Sequence, residues 1–176
     1  MNLEVDDCYP RDMVGFGSAP PDPRWPNKAR LALQFVINYE EGAENSVLHG
    51  DSHSETFLSE IFDAKPFPDR HMTMESIYEY GSRSGFWRLK RLFNDFNYPV
   101  TVFGVAMAMD RNREVVESML DSQWEIASHG YRWISYQAMN RELEREHIEK
   151  AIEIHEKITG AKPLGWYTGR DSPNTR

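Results

Sequence analysis

Strand-length apolar runs alternate with helix-period stretches along this chain, and that alternation restricts its fold more than any other feature. Residues 30–39 (RLALQFVINY), 100–105, 124–128 and 163–167 read as strands. The first is apolar on both faces near its centre, which predicts a buried strand. Residues 73–80, 83–96, 112–122 and 141–159 read as helices. In 83–96, Phe86, Leu89, Leu92, Phe93 and Phe96 fall three or four apart on one face. In 112–122 the inward set is Val115, Val116, Met119 and Leu120; in 141–159 it is Leu143, Ile148, Ile152 and Ile158, and Thr159-Gly160 ends the helix. Strand, helix, strand repeated in this way is the order of a parallel α/β fold.

Residues 1–29 break the pattern. Pro10, Pro20, Pro21, Pro23 and Pro26, with Gly15 and Gly17, leave no room for a helix. An extended arm is expected there, docked through Phe16 and Trp25, with residues 30–176 forming part of one domain. Asp and Glu number 28 against 20 Lys and Arg, for a net charge of −8, which argues against a nucleic-acid partner. Cys8 is the single cysteine, so no internal disulfide can form and a reducing compartment fits. The longest apolar stretch, 100–109, is about half of what spans a bilayer, and the first residues lack the cationic-then-apolar order of a secretory signal. The expectation is a cytoplasmic protein with no membrane partner.

In α/β barrels the chemistry sits at the C-terminal ends of the strands. Three polar or aromatic clusters fall at such ends here: Glu40-Glu41-Gly42, His129-Gly130 and Trp166-Tyr167. A carboxylate beside apolar walls can take a proton from water, and Gly42 can turn both Glu40 and Glu41 toward the mouth. His129 can donate to a carbonyl, shuttle a proton or bind a metal. Trp133 and Trp166 can wall a pocket around a flat ring, and Arg132 and Arg170 can clamp a carbonyl or carboxylate. The loop of residues 44–68 carries His49, Asp51 and His53 as H-x-D-x-H, a spacing that can suit a metal but lacks a strand or turn to frame it. His147 and His155, eight apart on the last helix, read as surface residues, and His71 has no informative context. No phosphate-binding glycine loop, G-x-S-x-G or C-x-x-C is present.

The stretches NYEEG, ASHGYRW and GWYTGR resemble, in order and spacing, the first three motifs of the NodB-homology polysaccharide deacetylases. The resemblance implies an incomplete, distorted (β/α) barrel, so the fold class expected is α/β, a partial barrel of that type behind a Pro-rich arm. In that family the first acid is a general base, the second binds metal, two histidines four apart complete the metal site, and an Arg-containing motif walls the pocket. Here the acids are Glu40 and Glu41, the first histidine is His129, Trp133 stands at the second histidine position, and Tyr167 stands where the family has Arg. Tryptophan is no metal ligand, so the expected metal and cofactor content is none; zinc enters only if a third ligand comes from elsewhere, such as His49 or His53.

From Tyr9 through Arg24-Trp25-Pro26 to the last residues, the chain is similar to the deacetylase-like allantoinases of urate breakdown. That resemblance implies hydrolysis of (S)-allantoin to allantoate, a small-molecule ureide substrate and a homo-oligomer. Without a metal such a reaction needs a base and a carbonyl-polarising group, and the roles expected here are Glu40 as base, His129 as the group that polarises the carbonyl or protonates the leaving nitrogen, and Glu41 as the residue that orients His129 or the ureido group. Tyr39, Trp133, Trp166, Tyr167 and Arg170 are the expected substrate contacts. The other readings are a metal-dependent chitin N-deacetylase and a non-catalytic binding domain.

A barrel of this kind needs about twice the four strands seen here, and the resembled family continues past its third motif. The expectation is a C-terminally truncated piece with an exposed parallel-sheet edge, poorly stable and inactive by itself. Calorimetry of the 176-residue chain should therefore show no sharp cooperative transition; a monomeric, cooperative and fully active chain would contradict that expectation.

Overall fold

The computed structural model describes residues 11–174. Sequence readings that fall on Cys8, Tyr9, Pro10, Thr175 and Arg176 lie outside them. The chain divides into two compact units, Met1–Leu33 and Gln34–Arg176. In the first, Asp12 accepts hydrogen bonds from the backbone N–H groups of Val14 and Gly15, and a single short turn of helix, Pro26–Lys28, follows. Phe16 and Trp25 are 74% and 42% exposed.

The second unit is built on β1 (Phe35–Tyr39), β2 (Val100–Gly104) and β3 (Glu125–Ser128), in that order in one parallel sheet. Its helices are α1 (Met72–Tyr80), α2 (Phe86–Asp95), α3 (Ala106–Arg111), α4 (Arg113–Asp121) and α5 (Arg141–Thr159). The α/β expectation holds, and the register pairs Tyr39 with Gly104 and Gly104 with Ser128. All three strands therefore end level at the same edge.

One face of the sheet is closed and the other is open. Ile37, Tyr39, Val100 and Val102 pack with Met74, Phe86, Val115, Val116 and Met119 in a single core. On the opposite face Val36 is exposed and Thr101 and Phe103 are half-buried. The two-faced burial read from residues 30–39 is thus corrected to burial on one face. The strand is also shorter than expected: Leu31 and Leu33 are exposed, because β2 begins only at Val100, opposite Phe35. Residues 163–167 contribute one parallel bridge, Trp166 to Ser128, rather than a strand. Two backbone bonds hold it, Ser128 N–H to the Gly165 carbonyl and Tyr167 N–H to the Ser128 carbonyl, each 2.9 Å.

The helices are corrected in detail. Helix α1 runs through a wide π turn, Gly81–Gly85, into α2. Gly81 lets the Glu41 side chain pass close by: a Cβ there would lie 2.9 Å from the Glu41 Cδ. Of the expected inward set, Phe86 is buried and Phe93 partly so, while Leu89, Leu92 and Phe96 are exposed. Leu120 and Leu143 are likewise exposed. His155 is not on the surface but 3% exposed. Its Nδ1 lies 2.9 Å from the Ala161 carbonyl and its Nε2 3.1 Å from the Ile126 carbonyl, joining α5 to β3. His155→Leu should remove the ring N–H from this polar link between α5 and β3 and cost about 1–3 kcal/mol of stability, measured as a lowered urea midpoint.

Candidate active site

The period of two along a strand sorts the residues that follow β1. Ile37 and Tyr39 face the helices, so Glu41, next in phase, also does; Asn38 faces the open side, and so does Glu40. Phe103 and Ala127 share that open face through their register with Asn38, and His129 continues the phase of Ala127. Glu40 and His129 are thus delivered to the same side from β1 and β3, with β2 between them. Two strand spacings are about 9–10 Å, and their side chains close that gap: Glu40 Oε1 lies 3.0 Å from His129 Nε2. Glu40 is 9% exposed and His129 1%.

Every other contact of His129 fixes its ring. Its backbone N–H donates to the Gly104 carbonyl at 2.9 Å. Phe103 and Tyr167 stack near it, each centroid 5.7 Å away. Its Nδ1 lies 2.7 Å from the Tyr167 carbonyl. A carbonyl only accepts, so Nδ1 carries a proton, and a second proton lies between Nε2 and Glu40. The pair can hold that proton as imidazolium and carboxylate or as imidazole and carboxylic acid.

Glu41 does not orient His129, because the strand period sends it the other way. Its Oε2 accepts the Glu40 N–H at 3.0 Å, and it lines a cavity of about 330 Å³ with Glu44, Tyr78, Ser82, Arg111 and Asn112. Burial holds the Glu41 and Glu44 carboxyls above the usual range. Tyr39 also lies on the helix side, 1% exposed, with its hydroxyl 3.0 Å from Ser82 Oγ and its ring edge-on to Phe86. Expected as a substrate contact, it is instead enclosed in the core.

Tyr167 meets His129 directly, and Trp133 and Arg170 lie against each other. Trp133 is 5% exposed and tied by its backbone N–H to the Ala43 carbonyl at 3.0 Å. Arg170 lies 5.1 Å over its ring and 3.0 Å from Glu55. Trp166 lines a separate small cavity, about 20 Å³, with His129, Tyr136 and His147. That places His147, read as a surface residue, beside the strand end, where the Tyr136 hydroxyl meets its Nδ1 at 3.1 Å.

Two contributors, Tyr78 and Glu55, carry no pattern in the sequence. Tyr78 and Trp133 bring a hydroxyl and an indole N–H that are buried without a hydrogen-bond partner among the described residues. Burial, with the charges of Glu55, Glu44 and Glu40, pushes the Tyr78 phenol up, so it remains a donor. Glu55 holds Arg170 in place. Arg132, expected as a possible substrate clamp, is spent on structure: it donates to Asp51 Oδ1 at 2.7 Å and to the Glu44 carbonyl at 3.0 Å. Only the packing of the loop 44–68 reveals this.

The donor set does not fit a metal. Asp51 is paired with Arg132, His49 Nδ1 faces the Glu44 carbonyl, and the exposed His53 bonds Ser52. His129 uses both ring nitrogens, Glu41 faces away from it, and Trp133 offers no ligand atom. Among the described residues no three His, Cys, Asp or Glu side chains converge as a metal site.

Comparison with known proteins places this geometry in context. The profile of a family described as polysaccharide deacetylase matches residues 68–172. A Schizosaccharomyces pombe (strain 972) protein, whose name assigns it to the polysaccharide deacetylases, is 42% identical over 172 residues, covering 94% of this chain and 53% of that protein. The crystal structure of PuuE allantoinase superimposes with a TM-score of 0.91 at 57% identity, covering 94% of this chain and 55% of that one. A probable polysaccharide deacetylase from Pseudomonas aeruginosa PAO1 matches with the same TM-score at 59% identity, covering 94% and 56%. The chain spans about half the length of these relatives.

The buried carboxyls give a pH signature. The folded state holds the protons of Glu41 and Glu44 above the ordinary value of 4.5. Their stabilising contribution is present below that value and is lost as pH rises through the folded pKa. Glu44→Gln, which keeps an acceptor for the Gly42 N–H, should raise the melting temperature at pH 8 and make no difference near pH 4. Thermal melts across that range check it.

Proposed function

The chain belongs to the polysaccharide deacetylase family, and on that premise we propose that it hydrolyses a carbon–nitrogen bond of a cyclic ureide of the allantoin type, by acid–base chemistry. The hydrogen bond between Glu40 and His129 carries this reading. Glu40 as carboxylate takes a proton from water as the oxygen attacks the ring carbonyl. His129, its Nδ1 proton held by the Tyr167 carbonyl, gives the Nε2 proton to the departing ring nitrogen as the C–N bond breaks. The proton gained by Glu40 then returns to Nε2. The buried donors of Trp133 and Tyr78 suit a carbonyl oxygen on the substrate. The ring nitrogen of a hydantoin leaves more readily than the amine of an acetamide, which suits a site whose donors do not fit a metal.

The likeness to an allantoinase supports this substrate class; the equal likeness to a probable polysaccharide deacetylase makes an acetylated sugar the competing one. Assayed as the full-length product of its gene, the protein should open (S)-allantoin equally well with and without a chelator and leave an N-acetylglucosamine oligomer intact. Zinc-dependent deacetylation of the oligomer would overturn the proposal. Glu40→Gln should lower allantoin turnover by about 10²-fold or more; survival within about tenfold removes Glu40 as the base.

A further inference from the structure

Gly169 has no backbone reason to be glycine: its φ lies outside the left-handed region. Space is the reason. A Cβ at Gly169 would sit 2.9 Å from Trp133 Cδ1, 3.3 Å from the His129 carbonyl oxygen and 3.4 Å from His129 Nε2. The first distance is too short for any carbon pair, and the last falls on the nitrogen that shares a proton with Glu40.

Neither neighbour is free to yield. Trp133 is confined by Phe57 at 5.4 Å, Tyr78 at 6.3 Å and Arg170 at 5.1 Å. His129 lies against the stacked pair Phe103–Tyr167 and is bonded through both nitrogens. The Trp133 edge that meets Gly169 also bears the unpartnered indole N–H, bonded to that same Cδ1. A methyl group here would shift two rings that close packing otherwise holds fixed.

The geometry points to Gly169 as a positioning residue for the Glu40–His129 pair: its bare Cα sets the gap between the pyrrole edge of Trp133 and Nε2 of His129. The consequence for turnover rests on the function proposed above; the placement of the ring does not.

The test is Gly169→Ala in the full-length protein, with the ¹⁵N resonances of His129 assigned by their loss in His129→Gln. Gly169→Ala should fold, move the His129 Nε2 resonance, and lower kcat for allantoin at least tenfold with KM changed less than threefold. Gly85→Ala is the control, since its added Cβ meets Tyr80 at an ordinary 3.6 Å; it should leave resonance and turnover unchanged. A folded Gly169→Ala with wild-type resonance and wild-type kcat overturns the inference. If Gly169→Ala does not fold, adding Trp133→Leu, which removes the pyrrole edge, should restore folding and return the resonance to its wild-type position. A double variant that does neither also overturns it. A wild-type protein inert toward allantoin sinks the proposed substrate, and the resonance alone then decides the role of Gly169.

Discussion

The contact between His129 and Glu40 depends on three parallel strands ending level. Glu40 follows β1, His129 follows β3, and β2 lies between them. The pairing of Tyr39 with Gly104 and of Gly104 with Ser128 places both side chains at one edge. A slip of one residue in either register would turn one of them to the opposite face. The bridge from Ser128 to Trp166 adds the last restraint, since it brings the Tyr167 carbonyl to Nδ1 and so decides which nitrogen faces Glu40. Without that carbonyl the imidazole could present either tautomer to the carboxylate.

The surrounding loop is ordered by charge. Arg132 is 8% exposed and reaches back to Asp51 and the Glu44 carbonyl, so the segment after β3 holds the segment after β1. Burial alone would raise the Asp51 carboxyl, but the Arg132 guanidinium and the Ser46 N–H outweigh it and hold it low. Arg170 and Glu55 repeat the arrangement one layer outward, with the guanidinium lying over Phe57 and Trp133. Residues that could bind a charged substrate are thereby committed to shaping the wall. Among the described residues the buried polar atoms left unpaired are the indole N–H of Trp133, the phenol of Tyr78, Ser118 Oγ and Arg132 Nε.

Much of the frame is legible in local sequence. Helix α5 runs over the expected residues because Asn140 caps one end and Gly160, at φ 81°, closes the other. Strands β2 and β3 lie where their β-branched and apolar runs place them. The errors arise where local pattern and global packing disagree. The helix expected over 83–96 begins inside a π turn, Gly81–Gly85, where Gly81 lies close to Glu41 from another segment. The fourth strand reduces to one bridge. Tyr39 reads as a substrate contact by proximity to Glu40, yet alternation carries it to the core.

The sequence by itself determined the parallel α/β order, the placement of Glu40-Glu41, His129 and Trp166-Tyr167 at strand ends, and the absence of histidine at position 133. Those follow from periodicity and from residue identity, which are local. The tertiary structure decided that Glu40 rather than Glu41 meets His129, that Arg132 holds the loop, and that Gly169 must lack a side chain. Each of those depends on distances between segments separated by 36 to 89 residues, and such distances exist only once the strands have taken their register and the rings have packed.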